Sequence, residues 1–558
     1  MSTQPRAGFA ADIEPQASWL PMIIIGISQI LLVFNVASLQ VSIDGIVSSF
    51  RTPATTIGTA IVTYSLVVAG FIMVGARAGQ IYGSRRVFRA AVLLFGAAMI
   101  LVTISRGVVM LIVAQAAAGL AAAAIVPGLV VLVADNYRGN QKEKALGWLA
   151  GAQAMGMVLA FLLAGALSTW VGWRYTFAVL AVLAASIYKL SDKLSPIKTR
   201  SNVSIDWMGA AMASSAVFLI STGANSLTRW GLLLAGPAAP FSVVDMSPAP
   251  IMIVCGIFLL QGFFVWSRRQ QARGRTPLIA LEVVDSPGER AAIFSMFSIG
   301  ALGSAITFLI PLYIQIVQGH SGMRTAVAVI PFSLASFAAA VLIVQLYDRL
   351  SPRYIARYAF LVVAVGVGLL GVVIRNDWST PTVIISMIIT GLGEGALITL
   401  LFNVLVTASP KRLAGDVGSL RGTTNNLAAG VGTALAGALV VGVLGTSVHR
   451  ELVHNAVIPI GLKREMNLND IPFVSNDHLR QALTAISATP EQTGEAVRIN
   501  SDARLIALKV SFFSLAGLAL LAFFPAGGLP SHIGEETTGD EKRASSLGLV
   551  EKVSAQKH

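Results

Sequence analysis

A single carboxylate stands where an apolar helix offers it nothing. In TGLGEGALITLLF, residues 390–402, Glu394 lies among Gly391, Gly393, Gly395 and aliphatic side chains. A charged side chain at the centre of a bilayer costs roughly 2.5–3.5 kcal/mol on insertion scales. Removal from water favours the neutral form of a carboxyl. Glu394 is therefore a candidate to load a proton on one side of a membrane and release it on the other. The three glycines permit close helix approach or local bending. A plainer reading makes Glu394 a structural group bonded to a neighbouring helix, or a residue nearer an interface. Four amides, Asn35, Gln40, Gln115 and Gln153, also fall in apolar stretches. Amides can hydrogen-bond a solute, or one another as interhelical contacts averaging about 0.6 kcal/mol each.

Other chemistries find no support. GVGLLG, 366–371, matches G-x-G-x-x-G but lies inside an apolar run with no preceding strand, which makes it a helix-packing feature. There is no P-loop, no H-E-x-x-H and no G-x-S-x-G elbow, and the one cysteine, Cys255, sits in the apolar IMIVCGIFLL. The expectation is a protein that is no enzyme and binds no cofactor or metal, with a proton gradient as its possible energy source.

These residues must be positioned by membrane helices. The 558-residue chain is 55% hydrophobic and 12% charged, against about 25% charged in soluble domains. Many runs reach the roughly 20 apolar residues that cross a bilayer core. Strands are excluded because the runs are long and do not alternate. About fourteen spans are predicted: 19–42, 54–76, 88–105, 108–133, 145–170, 174–190, 205–225, 249–267, 290–317, 324–347, 354–374, 381–408, 425–446 and 503–525. Polar residues 1–18 lack the features of a signal peptide.

The net charge of +13 comes from Lys and Arg in short loops, with no basic patch interleaved with aromatics, so it reads as topology and excludes a nucleic-acid partner. Loops after even-numbered spans hold clusters such as Arg77, Arg85 and Arg86, or Arg268, Arg269, Arg273 and Arg275. Loops after odd-numbered spans typically hold one arginine. The positive-inside rule places the clusters and both termini in the cytoplasm of a plasma (inner) membrane protein.

A weak repeat gives the organisation. AGQIYGSRRVF, 78–88, follows the second span, and QLYDRLSPRYI, 345–355, follows the tenth. Each is a short basic link between two helices. Two six-helix halves, 19–190 and 290–525, separated by a linker and two-helix insert, 191–289, account for the spacing. Residues 447–502 form a long outer loop in which DHLRQALTAI could be an amphipathic helix, and 526–558 form a disordered tail. Such repeats are typical of secondary transporters with a midplane site. Gly83 permits the first turn. Arg85, Arg86, Asp348, Arg349 and Arg353 are candidates to latch the halves on the inside.

The chain resembles the major facilitator superfamily, specifically its fourteen-helix drug:proton antiporter branch. GARAGQIYGSRRVF resembles the family's loop signature, GWRYTF the start of the sixth helix, IDWMGA the entry to the extra pair, and FLIPLYIQIVQGHS with AVIPFSLAS the ninth and tenth helices. The resemblance covers residues 19–525 and implies an all-α transporter that exports amphipathic organic compounds by alternating access. It places the first and fourth spans at a central cavity, making the four amides candidate solute contacts. The chain departs from the pattern at Ala76 and Gln80 in the loop, at Asn35 and Gln40 in the first span, at Gln115 for the fourth-span arginine, and at Phe161 for the fifth-span proline. Asp44 stands at the outer end of the first span. Arg421 lies one turn before Asn425, where the branch often has arginine, next to Asn426. The losses weaken the implied coupling, so a proton-independent uniporter or exchanger is an alternative, as is a non-transporting membrane sensor that binds through 447–502. The expected partners are a small-molecule solute and the lipid bilayer, with the protein acting as a monomer.

Overall fold

The computed structural model describes residues 18–137, 139–194, 205–231, 234–236, 239–242, 244–275, 277–278, 286–347, 349–375, 381–408, 414–455, 476–485 and 489–531. Asp348 and most of both expected tails lie outside these residues. The helices are α1 Leu20–Val41, α2 Ile43–Phe50, α3 Ala54–Tyr82, α4 Ser84–Thr103, α5 Val108–Asn136, α6 Gly139–Trp170, α7 Trp173–Leu190, α8 Trp207–Trp230, α9 Pro248–Ala272, α10 Pro287–Leu312, α11 Gly322–Leu342, α12 Pro352–Val373, α13 Pro381–Ala408, α14 Ala414–His454, α15 Asn476–Ala485 and α16 Pro490–Ala522. Thirteen described helices are long and apolar enough to cross a membrane, and α6 adds the shorter apolar stretch Gly156–Trp170. Together they correspond to the fourteen predicted spans of an all-α membrane protein.

The first half comprises α1 to α7 and the second α10 to α14 with α16. They meet where α3 packs on α14 and α6 on α11. The insert α8–α9 is a hairpin lying against α3 and α14. It is closed by Asp206, which caps Gly209 N at 2.9 Å and accepts Trp266 Nε1 at 3.0 Å. Small residues set the helix spacing: a Cβ on Gly75 would strike the Ala123 carbonyl, and one on Gly432 the Ala301 carbonyl.

One end of the bundle carries the Arg-rich links and is here the basic end. Gly83, at φ +92°, turns α3 into α4 there, a backbone conformation that favours glycine. The opposite end carries α15 and is the cap end. The region expected as a loop from 447 is partly helical: α14 continues to His454, α16 begins at Pro490, and α15 corresponds to the amphipathic segment read in the sequence. Hydropathy marks where the bilayer stops, whereas a helix stops at caps such as the Thr489/Gln492 capping box.

The repeat is visible in side-chain detail. At the start of α4, Arg85 donates to the Asp192 carbonyl at 2.7 Å and carboxylate at 3.2 Å, Arg89 also binds that carboxylate, and its guanidinium lies 4.6 Å from the Tyr188 ring. At the start of α12, Arg353 Nε donates to the Leu529 carbonyl at 3.2 Å, and Arg357 lies 5.2 Å from the Phe523 ring. In each half, two arginines four residues apart tie the third span to the end of the sixth.

Candidate functional site

Glu394 is held by the glycines around it. A Cβ on Gly391 or Gly395 would strike the Phe332 or Ser336 carbonyl of α11. One on Gly393 would lie 2.8 Å from the Ala359 carbonyl of α12. With α13 seated on two neighbours, Glu394 faces a third, α10, where a Cβ on Gly303 would collide with its Oε1. Glu394 Oε2 is buried and has no hydrogen-bond partner among the described residues. One turn earlier on α10, Asn425 Oδ1 of α14 lies 3.3 Å from the Cβ position of Gly300. Glu394 and Asn425 thus address one face of α10. Four residues before Asn425, the Arg421 guanidinium sits 3.9 Å from the ring centroid of Phe402 on α13, a cation–π arrangement. Asn426 bonds back to the Gly422 carbonyl at 2.8 Å.

The amides divide. Asn35 of α1 and Gln115 of α5 are both fully buried. Asn35 Nδ2 donates to Gln115 Oε1 at 3.0 Å, and Gln115 Nε2 donates to Asn35 Oδ1 at 3.2 Å. Two positions where the resembling branch places an acid and an arginine are a closed, neutral pair here. Gln40 is buried in the last turn of α1. Gln153, part-buried on α6, follows Ala152, which packs near Gly26 of α1. The four do not form one cluster.

The basic links bind within their own halves, as described for Arg85 and Arg353. Arg86 and Arg349 are exposed. Gln80, standing where the family motif has an acid, accepts from Arg77 Nη1 at 3.1 Å, and Arg77 Nη2 reaches the Pro277 carbonyl of the linker at 2.9 Å. Gln315 and Arg504, both buried at the cap end, are functional candidates that the sequence alone does not single out. A polar residue late in the ninth predicted span and an arginine opening the last were the available signals.

Two helical halves and a helical insert, with a carboxyl set among membrane-spanning helices, define a polytopic helical membrane protein. The family model of the Major Facilitator Superfamily matches residues 25–433, and the chain belongs to that superfamily of transporters. It is 27% identical over 69% of its length, and 66% of the relative's, to a probable actinorhodin transporter of Streptomyces coelicolor. It is 24% identical over 81% of its length, and 85% of the relative's, to the multidrug efflux pump LfrA of Mycolicibacterium smegmatis. A POT family peptide transporter shares the fold at TM-score 0.56 and 14% identity, covering 91% of this chain and 96% of that one. A D-xylose-proton symporter does so at TM-score 0.55 and 12% identity, covering 92% and 98%.

Proposed function

We propose that this transporter exports amphipathic organic compounds in exchange for protons, with Glu394 as the proton carrier. The observation that carries the reading is the part-buried Glu394 side chain, whose Oε1 lies against Gly303 and whose Oε2 is buried with no hydrogen-bond partner among the described residues. An ionised carboxyl kept from water costs free energy, so loss of a proton favours a state in which the group meets water. Protonation therefore biases which side of the membrane the second half faces, and solute binding biases it the other way. The names of the relatives support the solute class and direction. The basic end faces the cytoplasm of the plasma membrane with both termini, in accord with the positive-inside rule, and the monomer is the working unit.

The test uses purified protein in liposomes with an imposed pH gradient and the dye ethidium as probe. Gradient-driven ethidium flux should be lost in Glu394→Gln while gradient-independent exchange persists. Equal gradient-driven flux in both proteins removes Glu394 from the mechanism.

The neutral Asn35–Gln115 pair favours a second reading, a proton-independent uniporter or solute exchanger. It predicts ethidium movement without accompanying proton flux, measured with a pH-sensitive dye inside the same liposomes.

A further inference from the structure

At the cap end, α1 and α2 are one helix interrupted at Ser42. In a continuous helix the Asp44 N–H would bond the Gln40 carbonyl, residue i+4 to residue i. Here the side-chain amide of Gln315, from the other half, is inserted between them. Gln315 Nε2 donates to the Gln40 carbonyl at 2.9 Å, and its Oε1 accepts the Asp44 N–H at 3.1 Å. Gln315 is 1% exposed. It sits in a π-helical segment, Tyr313–Val317, that follows α10, and π-turns are frequent at functional positions.

The geometry points to Gln315 as the pin of the cap-end gate, a two-state switch in the backbone of the first half. With the pin in, the helix is broken and the halves are joined. With the pin out, Gln40 and Asp44 can bond each other, and the helix heals. The two main-chain groups have a partner in either state, so opening need strand neither of them, which lowers its cost.

The cap holds the pin. Arg504 of α16 is fully buried, donates through Nη1 to the Ile316 carbonyl at 3.2 Å, and binds Asn476 Oδ1 of α15 through Nη2. Asn476 Nδ2 in turn donates to Ser501 Oγ at 3.0 Å. The residue beside Gln315 is thereby fastened to α15, and α15 sets how firmly the pin is seated. This inference rests on transport by alternation of the two halves, and it is independent of whether protons drive it.

The test reads helix position rather than transport. In a Cys255→Ser background, spin labels at Ser48→Cys on α2 and Glu491→Cys on α16 report the cap-end distance by pulsed electron resonance. Gln315→Met keeps side-chain length and removes both bonds, and should raise the ratio of long to short distances about tenfold. Gln315→Asn keeps the amide but is one methylene too short to reach both groups, and should also raise the ratio; it decides the matter if the Met variant does not fold. Asn476→Ala should raise the ratio about threefold. A folded, monodisperse Gln315 variant with the wild-type distribution overturns the pin. An Asn476→Ala distribution equal to wild type overturns the control by the cap.

Discussion

Asn35 and Gln115, eighty residues apart, exchange two hydrogen bonds with each other inside the first half. Each amide satisfies the other, so removing one side chain leaves a buried orphan costing about 1–3 kcal/mol, whereas removing both does not. Gln115→Leu should lower the detergent-solubilised unfolding midpoint more than Asn35→Leu with Gln115→Leu does. Additive losses would show that the pair is not a unit.

Gly303 is the floor beneath Glu394. Gly303→Ala should displace the carboxyl, reduce gradient-driven ethidium flux by at least tenfold and destabilise the fold by about 1–3 kcal/mol. Adding Glu394→Ala should recover most of the stability and none of the coupled flux. Thermal melts and liposome assays on the single and double variants check both halves of the statement.

Glycines in this chain are not equivalent. Gly395 abuts the Ser336 carbonyl, while Gly445 on α14 has no neighbour within 4 Å of its Cβ position. Gly395→Ala should cost several kcal/mol through forced helix separation. Gly445→Ala should be neutral or stabilising by about 0.5–1 kcal/mol. Paired unfolding curves decide, and equal effects would contradict the packing described.

Asp206 serves two elements, capping α8 and accepting the Trp266 indole of α9. Asp206→Ala should cost about 1–2 kcal/mol and raise proteolytic cleavage in the insert, read by limited trypsin digestion. Trp266→Phe should give part of that loss because the N-cap survives.

The spans were legible because bilayer crossing needs long apolar runs, and the basic link 78–88 with its echo at 345–355 announced the halves. The glycines around Glu394 were readable as close-packing sites, and α11 and α12 are where they pack. Partnerships were not readable. That Asn35 meets Gln115, or that Gln315 enters the break between α1 and α2, depends on helix rotation and packing, which periodicity in an all-apolar span does not encode. The ends of α14 and α16 were missed because polar helical turns beyond the bilayer resemble loop in hydropathy. Arg504 is not legible as a core residue because an arginine opening a span reads as an interfacial anchor.

The paired arginine ties, Arg85 and Arg89 in one half, Arg353 and Arg357 in the other, make the two arms mechanically alike. Electrically they differ, since Asn35 and Gln115 meet as neutral groups while α13 carries a carboxylate. A charge moved across a membrane at 100 mV exchanges about 2.3 kcal/mol with the field. An ionised Glu394 would couple the second arm to that field, which the neutral Asn35–Gln115 pair does not do in the first.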